Sequence, residues 1–263
     1  MELIYAMYNA ILITGFNGEI GRQTLLALSK KETLIIALDI NESDIKYDNV
    51  VYIKDSILNK DVMKSIFTDY NIIEVYHFAA LLSQSANNNP ELAREVNEEG
   101  SKLIIRSAMD HGIQHKSFIR IFFPSSIAVY GPRKLQDAKE WDIIKPQTIY
   151  GRNKLVIEQF GTQKYEESIQ LGYGIDFRCL RFPGIISPYT IPSGGTTDFA
   201  PQMLHAACNN EQYTCKIAPS TLLPFLSIKS TIHAILQIMT IPHIQSKLRA
   251  FNVEEVSLSP QEI

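Results

Sequence analysis

The sequence predicts an α/β fold: a doubly wound parallel sheet followed by a smaller C-terminal region. Three observations carry this expectation. Ala10 to Gly21, AILITGFNGEIG, joins an apolar run to three glycines, Gly15, Gly18 and Gly21, and then to a helical pattern. Apolar runs of strand length alternate with helix-period segments up to residue 182, and strands separated by helices imply a parallel sheet with right-handed crossovers. Small or polar residues also stand just beyond the strand ends: Gly15, Asp39, Asp55, Ala80 and Ser126. Ligands of such sheets sit at the carboxyl ends of the strands.

Taken in order, Ala10 to Thr14 is the first buried strand. The glycines after it let the backbone turn sharply and approach a pyrophosphate, while the helix beyond offers free N–H groups and a positive dipole end. The spacing is G-x-x-G-x-x-G rather than G-x-G-x-x-G. Its strand–turn–helix setting makes the expected fold Rossmann-type. Ile20, Leu25, Leu26 and Leu28 supply the apolar positions of the helix. Thr33 to Leu38, TLIIAL, suits a strand buried on both faces. It ends at Asp39, eighteen residues beyond Gly21. A carboxylate there can accept both ribose hydroxyls of an adenosine and would repel a 2′-phosphate. No Lys or Arg stands between Asp39 and Glu42, so NAD is expected rather than NADP. Alternatively, Asp39 only caps the next turn.

Val50 to Ile53 reads as a third strand, followed by Asp55, and Asn59 to Asp69 as a helix with Val62, Ile66 and Phe67 on one side. Ile73 to Ala80 is the fourth strand. Its small last residues, Ala79 and Ala80, would let a flat cofactor lie against the backbone, or simply pack tightly. Pro90 to His111 is a long helical pattern containing Asn97, a polar residue with reason to be there only if it bonds something. Phe118 to Pro124 is the fifth strand and leads into Ser125-Ser126. A helix from Ile149 to Leu171 puts Tyr150 and Lys154, four residues apart, on one face. Asp176 to Phe182 is the sixth strand. The long irregular loop PGIISPYTIPSGGTTDFA follows, and such loops in compact domains are usually functional. Beyond it come a helix from Phe199 to Ala207, a short strand from Tyr213 to Ile217 and a helix from Ser227 to Thr240. Residues 1–182 are therefore expected to form a dinucleotide-binding domain and 183–263 a substrate-binding region partly interleaved with it. Ser259-Pro260-Gln261-Glu262 is a capping box with Pro at the first helical position. That signature opens a helix, yet the sequence stops one residue later, so a further C-terminal segment is expected.

Composition narrows the function classes. A formal net charge of −3 lacks the basic excess of a nucleic-acid surface. No apolar run reaches membrane-spanning length, so neither nucleic acid nor membrane is an expected partner. The first fifteen residues hold no Lys or Arg, so no secretory or transit leader is visible. The expected compartment is the cytoplasm, or the mitochondrion in a eukaryote. Cys179, Cys208 and Cys215 form no C-x-x-C and suit a reducing compartment. No His, Cys or carboxylate cluster has metal-ligand spacing. The histidines read as surface or packing residues.

Hydride transfer from an alcohol needs a base, a partner for the substrate oxygen and a cation beside the base. A free Tyr titrates near ~10 and is a poor base. A nearby Lys ammonium and a cationic nicotinamide favour its phenolate. Tyr150 and Lys154 can supply that pair, and Ser126 the oxygen contact. These residues follow a glycine loop and an acidic second-strand end in the order such a site requires.

At this point the sequence resembles the extended short-chain dehydrogenase/reductase family. GFNGEIG is similar to its glycine loop, HFAA to its fourth-strand ending, SSIAVYG to its Ser segment and YGRNK to its Tyr-x-x-x-Lys pair. Phe16 and Asn17 stand where that family commonly has glycine. LRFPGIIS, PSGGTTDFA, YTCKIAPSTLLPF and ALLS with NPELA resemble its epimerase-like, NAD-dependent L-threonine 3-dehydrogenase branch. The resemblance implies that Gly15, Asn17, Gly18, Ile20 and Gly21 cradle the pyrophosphate, that Asp39 holds the ribose, and that Asp55 and Ser56 lie near the adenine. It implies that Ala79, Ala80 and Asn97 line the cofactor, and that Lys154 and Pro183 meet its nicotinamide end. Tyr150 would be the base and Ser126 its partner. Ser83, Gly184 and Thr196 or Thr197 would hold the amino acid. It further implies a homodimer, no metal, and oxidation of L-threonine to 2-amino-3-oxobutanoate. A nucleotide-sugar epimerase or dehydratase and a non-catalytic NAD sensor are the rival readings.

Overall fold

In the computed structural model, residues 8–131, 138–142, 144–189, 197–242 and 246–263 are described. Their order is β1 (Asn9–Thr14), α1 (Glu19–Leu28), β2 (Leu34–Asp39), β3 (Val50–Lys54), α2 (Lys60–Asp69), β4 (Asn71–His77), α3 (Ser83–Asn88) and α4 (Pro90–Arg94). A π-helical turn (Glu95–Gly100), α5 (Ser101–His115), β5 (Phe118–Ser126), a 3-10 turn (Ile127–Tyr130), α6 (Ile149–Leu171), β6 (Gly174–Phe182) and β7 (Gly184–Ile186) follow. The chain continues through α7 (Phe199–Cys208), β8 (Leu223–Ser227), α8 (Ile228–Thr240), β9 (Ala250–Asn252) and β10 (Val256–Leu258).

The main sheet has seven strands in the order β3-β2-β1-β4-β5-β6-β9. β1 pairs in parallel with β2 on one side and β4 on the other. Successive strands thus run outward first one way and then the other. The reversal falls between β1 and β4, where a doubly wound sheet opens a crevice at its carboxyl end. A second, three-stranded sheet has the order β10-β8-β7. The predicted fold class is the one found.

The chain divides into two compact units. The first comprises Met1–Ala80, Glu95–Phe123 and Gln159–Arg178; the second comprises Leu81–Arg94, Pro124–Glu158 and Cys179–Ile263. The first unit's core is the apolar stretch of β1 and β2 with Ile72, Val75, Ile104, Ile105, Phe122 and Phe177, all buried. In the second, Phe199, Ala200 and Phe225 form a core cluster.

Several boundaries differ from the sequence reading, each for a physical reason. The fourth strand ends at His77, not Ala80. His77 is buried and turned to packing, with Thr14 Oγ1 at 2.6 Å from Nδ1 and Ser101 Oγ at 2.7 Å from Nε2. The long helix from Pro90 is broken by the π-helical turn, which inserts a residue. That insertion sets Asn97 and Gly100 both on the buried side. Tyr213 to Ile217 is not a strand. Its apolar alternation instead packs Cys215 and Ile217 against the Phe199–Phe225 cluster without a ladder partner. β7, β9 and β10 have three residues each, too few for a period to show. The box at Ser259 forms its reciprocal contact, with Ser259 N–H donating to Glu262 Oε2 at 2.8 Å, but Pro260 to Glu262 make a turn.

α5 lies against the first residue of β6 through Gly112. A Cβ there would overlap the carbonyl oxygen of Gly174 and stand 2.8 Å from its carbon. Backbone cannot yield as a side chain can. Gly112→Ala should therefore destabilise the fold by about 1–3 kcal/mol, read as a fall in urea midpoint with unchanged m-value. An unchanged midpoint would show that this packing is looser than drawn.

Candidate active site

In the first unit the glycine turn is built by close backbone packing. Gly15 N–H donates to Leu38 O at 2.8 Å. Its φ is +69°, and a Cβ on it would stand 2.6 Å from Ala79 Cα, so only glycine fits. A Cβ on Gly21 would overlap the carbonyl oxygen of Gly15. Gly18 is the extended N-cap of α1 and has no side-chain cap bond. The first amides of α1, from Glu19 through Ile20 to Gly21, thus face the turn as uncapped donors. Phe16 does not crowd this space. It is 2% exposed and packs edge-on against Tyr52, with ring centroids 5.4 Å apart.

Asp39 is the last residue of β2. Asn17 N–H donates to one of its carboxylate oxygens at 3.0 Å, and Asn41 N–H to the other at 2.9 Å. Asp55 follows β3 and accepts from Ser56 N–H and from Asn59 Nδ2, the side chain that also caps α2. Ala79 lies against Gly15, Ala80 follows it without regular structure, and Asn97 is buried in the π-helical turn. The turn therefore carries what a dinucleotide needs: bare glycines, uncapped helix amides, a fixed acidic acceptor and a buried Asn17 Oδ1 that has no hydrogen-bond partner among the described residues.

The second unit gathers the predicted chemical residues. Ser126 ends β5, and its Oγ accepts from Ala128 N–H at 3.2 Å, capping the 3-10 turn. Tyr150 and Lys154 lie in the first turns of α6. Between them, Gly151 would put a Cβ 2.5 Å from Ala128 O. Glycine here lets the start of α6 press onto the turn that Ser126 caps. Sequence reasoning passed over Gly151, although a glycine inside a helix is a recognised packing signal.

Lys154 is 4% exposed and donates from Nζ to Pro124 O at 2.7 Å. Its Nζ lies 5.4 Å from the centre of the Tyr150 ring. Burial pulls the ammonium down to about 8, against the opposing pull of Cys179 and Glu158. Burial pushes the Tyr150 phenol up to about 12. Burial thus works against the phenolate, and the two charges expected to favour it are the Lys154 ammonium and a cationic nicotinamide.

One turn past Lys154, Glu158 accepts from Arg181 Nε at 3.0 Å and from Nη2 at 2.7 Å. Arg181 also donates to Tyr130 Oη at 2.7 Å, and Tyr130 donates to Asn252 Oδ1 at 2.7 Å. This buried polar cluster was not singled out from sequence. The four-residue step from Lys154 to Glu158 was its one local trace.

Pro183 is buried between β6 and β7. A Cβ on Gly184 would stand 2.7 Å from the Phe225 ring and 2.9 Å from Thr197 Cβ, so the structure brings Gly184 and Thr197 together. Ser83 opens α3 and is half-buried. Thr196 lies outside the described residues. Among those residues, no group of three or more His, Cys, Asp or Glu could hold a metal, and no helix is long and apolar enough to cross a membrane.

A model of the NAD dependent epimerase/dehydratase family matches residues 11–253. The chain belongs to this family. Its cofactor is NAD, and the glycine turn with Asp39 fits that group. The chain is 34% identical over 257 residues to the mitochondrial L-threonine 3-dehydrogenase of Bos taurus. The match covers 96% of this chain and 66% of that one, so the chain spans just under two thirds of that relative. It is similar to the crystal structure of L-threonine dehydrogenase from Phytophthora infestans, with a TM-score of 0.82 and 31% identity over 96% of this chain and 79% of that one. It also shares the fold of UDP-glucose 4-epimerase from Thermotoga maritima, with a TM-score of 0.79 and 20% identity over 96% and 79% of the two chains.

Half-buried Tyr150 and buried Lys154 give stability a pH signature. Lys154 loses its proton at about 8 when folded and near 10.4 when unfolded, by the model-peptide value. The unfolded chain holds more protons between these values, so Lys154 should make stability rise with pH there. Tyr150 keeps its proton to about 12 when folded, so it should make stability fall above about 10, where the unfolded phenol ionises. In Lys154→Met the rise between pH 8 and 10, of order 3 kcal/mol, should vanish from urea midpoints measured against pH. An identical profile in wild type and variant would refute the depressed ammonium.

Proposed function

We propose that the chain is an NAD-dependent dehydrogenase that oxidises the side-chain hydroxyl of L-threonine to 2-amino-3-oxobutanoate. The observation that carries this reading is the gathering of Ser126, Tyr150 and Lys154 in one unit, with α6 pressed by Gly151 onto the Ser126 turn. NAD, when bound, supplies the hydride acceptor. The residues do the rest. Ser126 Oγ accepts from Ala128 N–H, which leaves its own proton to donate to the substrate oxygen. Tyr150 takes the hydroxyl proton as general base. Lys154, fixed on Pro124 O, supplies positive charge beside the ring, and the cationic nicotinamide adds the second charge that Tyr150 needs to ionise.

The choice of substrate is supported by the second unit's other residues. Gly184 and Thr197 lie together, packed near the Phe225 ring, and resemblance assigns both to the amino acid. Ser83 and Thr196 are assigned to the same amino acid by resemblance. Relatives named as L-threonine dehydrogenases support it at 31–34% identity. The family description names epimerases and dehydratases, and a nucleotide-sugar epimerase is the second reading.

Two measurements test the proposal. Tyr150→Phe keeps the ring and removes the ionisable oxygen, so NAD binding should survive while turnover falls at least about 10²-fold. A Phe variant with near-normal turnover would sink the base assignment. NADH formation should be greater with L-threonine than with L-serine, and far greater than with 1-amino-2-propanol, because a site built to bond a carboxylate rejects the analogue lacking it. Equal rates on these three would end the threonine reading. Micromolar binding of a UDP-sugar would replace it with the epimerase one.

A further inference from the structure

One side chain in the turn between β1 and α1 is bonded to the loop that follows β2. Asn17 Nδ2 donates to the carbonyl oxygens of Asn41 and Glu42, at 2.9 and 3.1 Å. Its backbone N–H holds one oxygen of Asp39 while Asn41 N–H holds the other. Each oxygen of Asp39 thus has one amide and keeps a lone pair to spare. Two carbonyls facing Nδ2 also settle which end of the amide is which, since the flipped form would set oxygen against oxygen. Oδ1 is therefore the acceptor end. It is buried and has no donor among the described residues.

We propose that Asn17 is a specificity-determining residue for the dinucleotide: it latches residues 39–42 to the glycine turn and so holds Asp39 to offer the adenosine ribose acceptors only. A ribose hydroxyl brings a proton to these acceptors. A 2′-phosphate brings further negative charge beside a fixed carboxylate. The cations of this region are engaged elsewhere. Lys54 pairs with Glu42 at 2.9 Å, and Lys46 lies over the Tyr52 ring at 4.3 Å. The inference rests on the glycine turn being the dinucleotide site and is independent of the substrate.

The test is isothermal titration of the purified chain, without substrate, using NADH and NADPH. Wild type is compared with Asn17→Ala and Asn17→Gly. Each variant should lose about tenfold in NADH affinity, the worth of the lost hydrogen bonds. NADPH affinity should change less, so the NADH-to-NADPH preference should fall at least about fivefold. Hydrogen exchange on the cofactor-free chain gives a second readout. The Asn41 amide should exchange about tenfold faster in Asn17→Gly, while Ile36 and Ala37 of β2 keep their rates. A preference within about twofold of wild type, or unchanged exchange at Asn41, overturns the proposal. So does free exchange at Ile36 and Ala37, because Asn17 would then serve the fold rather than the choice of cofactor. A wild-type chain that binds neither dinucleotide removes the cofactor site itself, which is seen before any variant is made.

Discussion

The backbones of Gly15 and Ala79 pack so tightly that no Cβ atom fits between them, and the first unit depends on that approach. β1 and β4 are the strands at which the sheet order reverses. They stay close past their ends because Thr14, His77 and Ser101 are joined by hydrogen bonds beneath them. The chain leaving β1 must therefore turn at Gly15 through positive φ. It then starts α1 with no side chain over its first amides. Uncapped amides are a cost to a helix standing alone. Here they make the surface on which an anion is stabilised. One steric constraint thus fixes the sheet's switch point and the proposed cofactor site together.

The second unit solves a different problem, the placing of a lysine where water is scarce. Lys154 is held by a carbonyl, while the carboxylate one turn away is bound to Arg181. Had Glu158 been free to pair with Lys154, the ammonium would hold its proton more firmly. Arg181, always charged and forked, is suited to occupying a carboxylate at two points. Breaking such a buried pair leaves one charge without its partner, which is why both members have to be kept together.

The features legible in the sequence were those whose parts lie close along it. Gly15, Gly18 and Gly21, the acid closing the second apolar run, and the four-residue step from Tyr150 to Lys154 each declare themselves within a few positions. The helix from Ile149 to Leu171 was found to the residue. Other features depend on contacts that no local pattern carries. The π-helical turn comes from the demand that Asn97 and Gly100 share a buried side. Cys215 and Ile217 alternate as a strand would, yet meet a side-chain cluster instead of a neighbouring strand. Arg181 finds Glu158 and Tyr130 from 23 and 51 positions away. Spacing shows that Lys154 is near Tyr150, but not how much water has gone from around them.

The bond from Tyr130 to Asn252 spans 122 positions, and a bond from Asn252 N–H to Glu140 spans 112. During synthesis the segment holding Tyr130 leaves the ribosome long before Asn252 has been added. Arg181 and Glu158 can meet earlier, but the cluster around them closes only with β9. Non-local contacts of this kind slow folding, because the intervening loop's entropy is lost before the contact forms. The first unit's pairing of β1 with β2 and β4 can be complete while the second unit still waits. A chain made as far as β4 can therefore hold that pairing while the contacts of Asn252 have still to be made, and an incompletely packed chain of that kind is what chaperones and proteases act on.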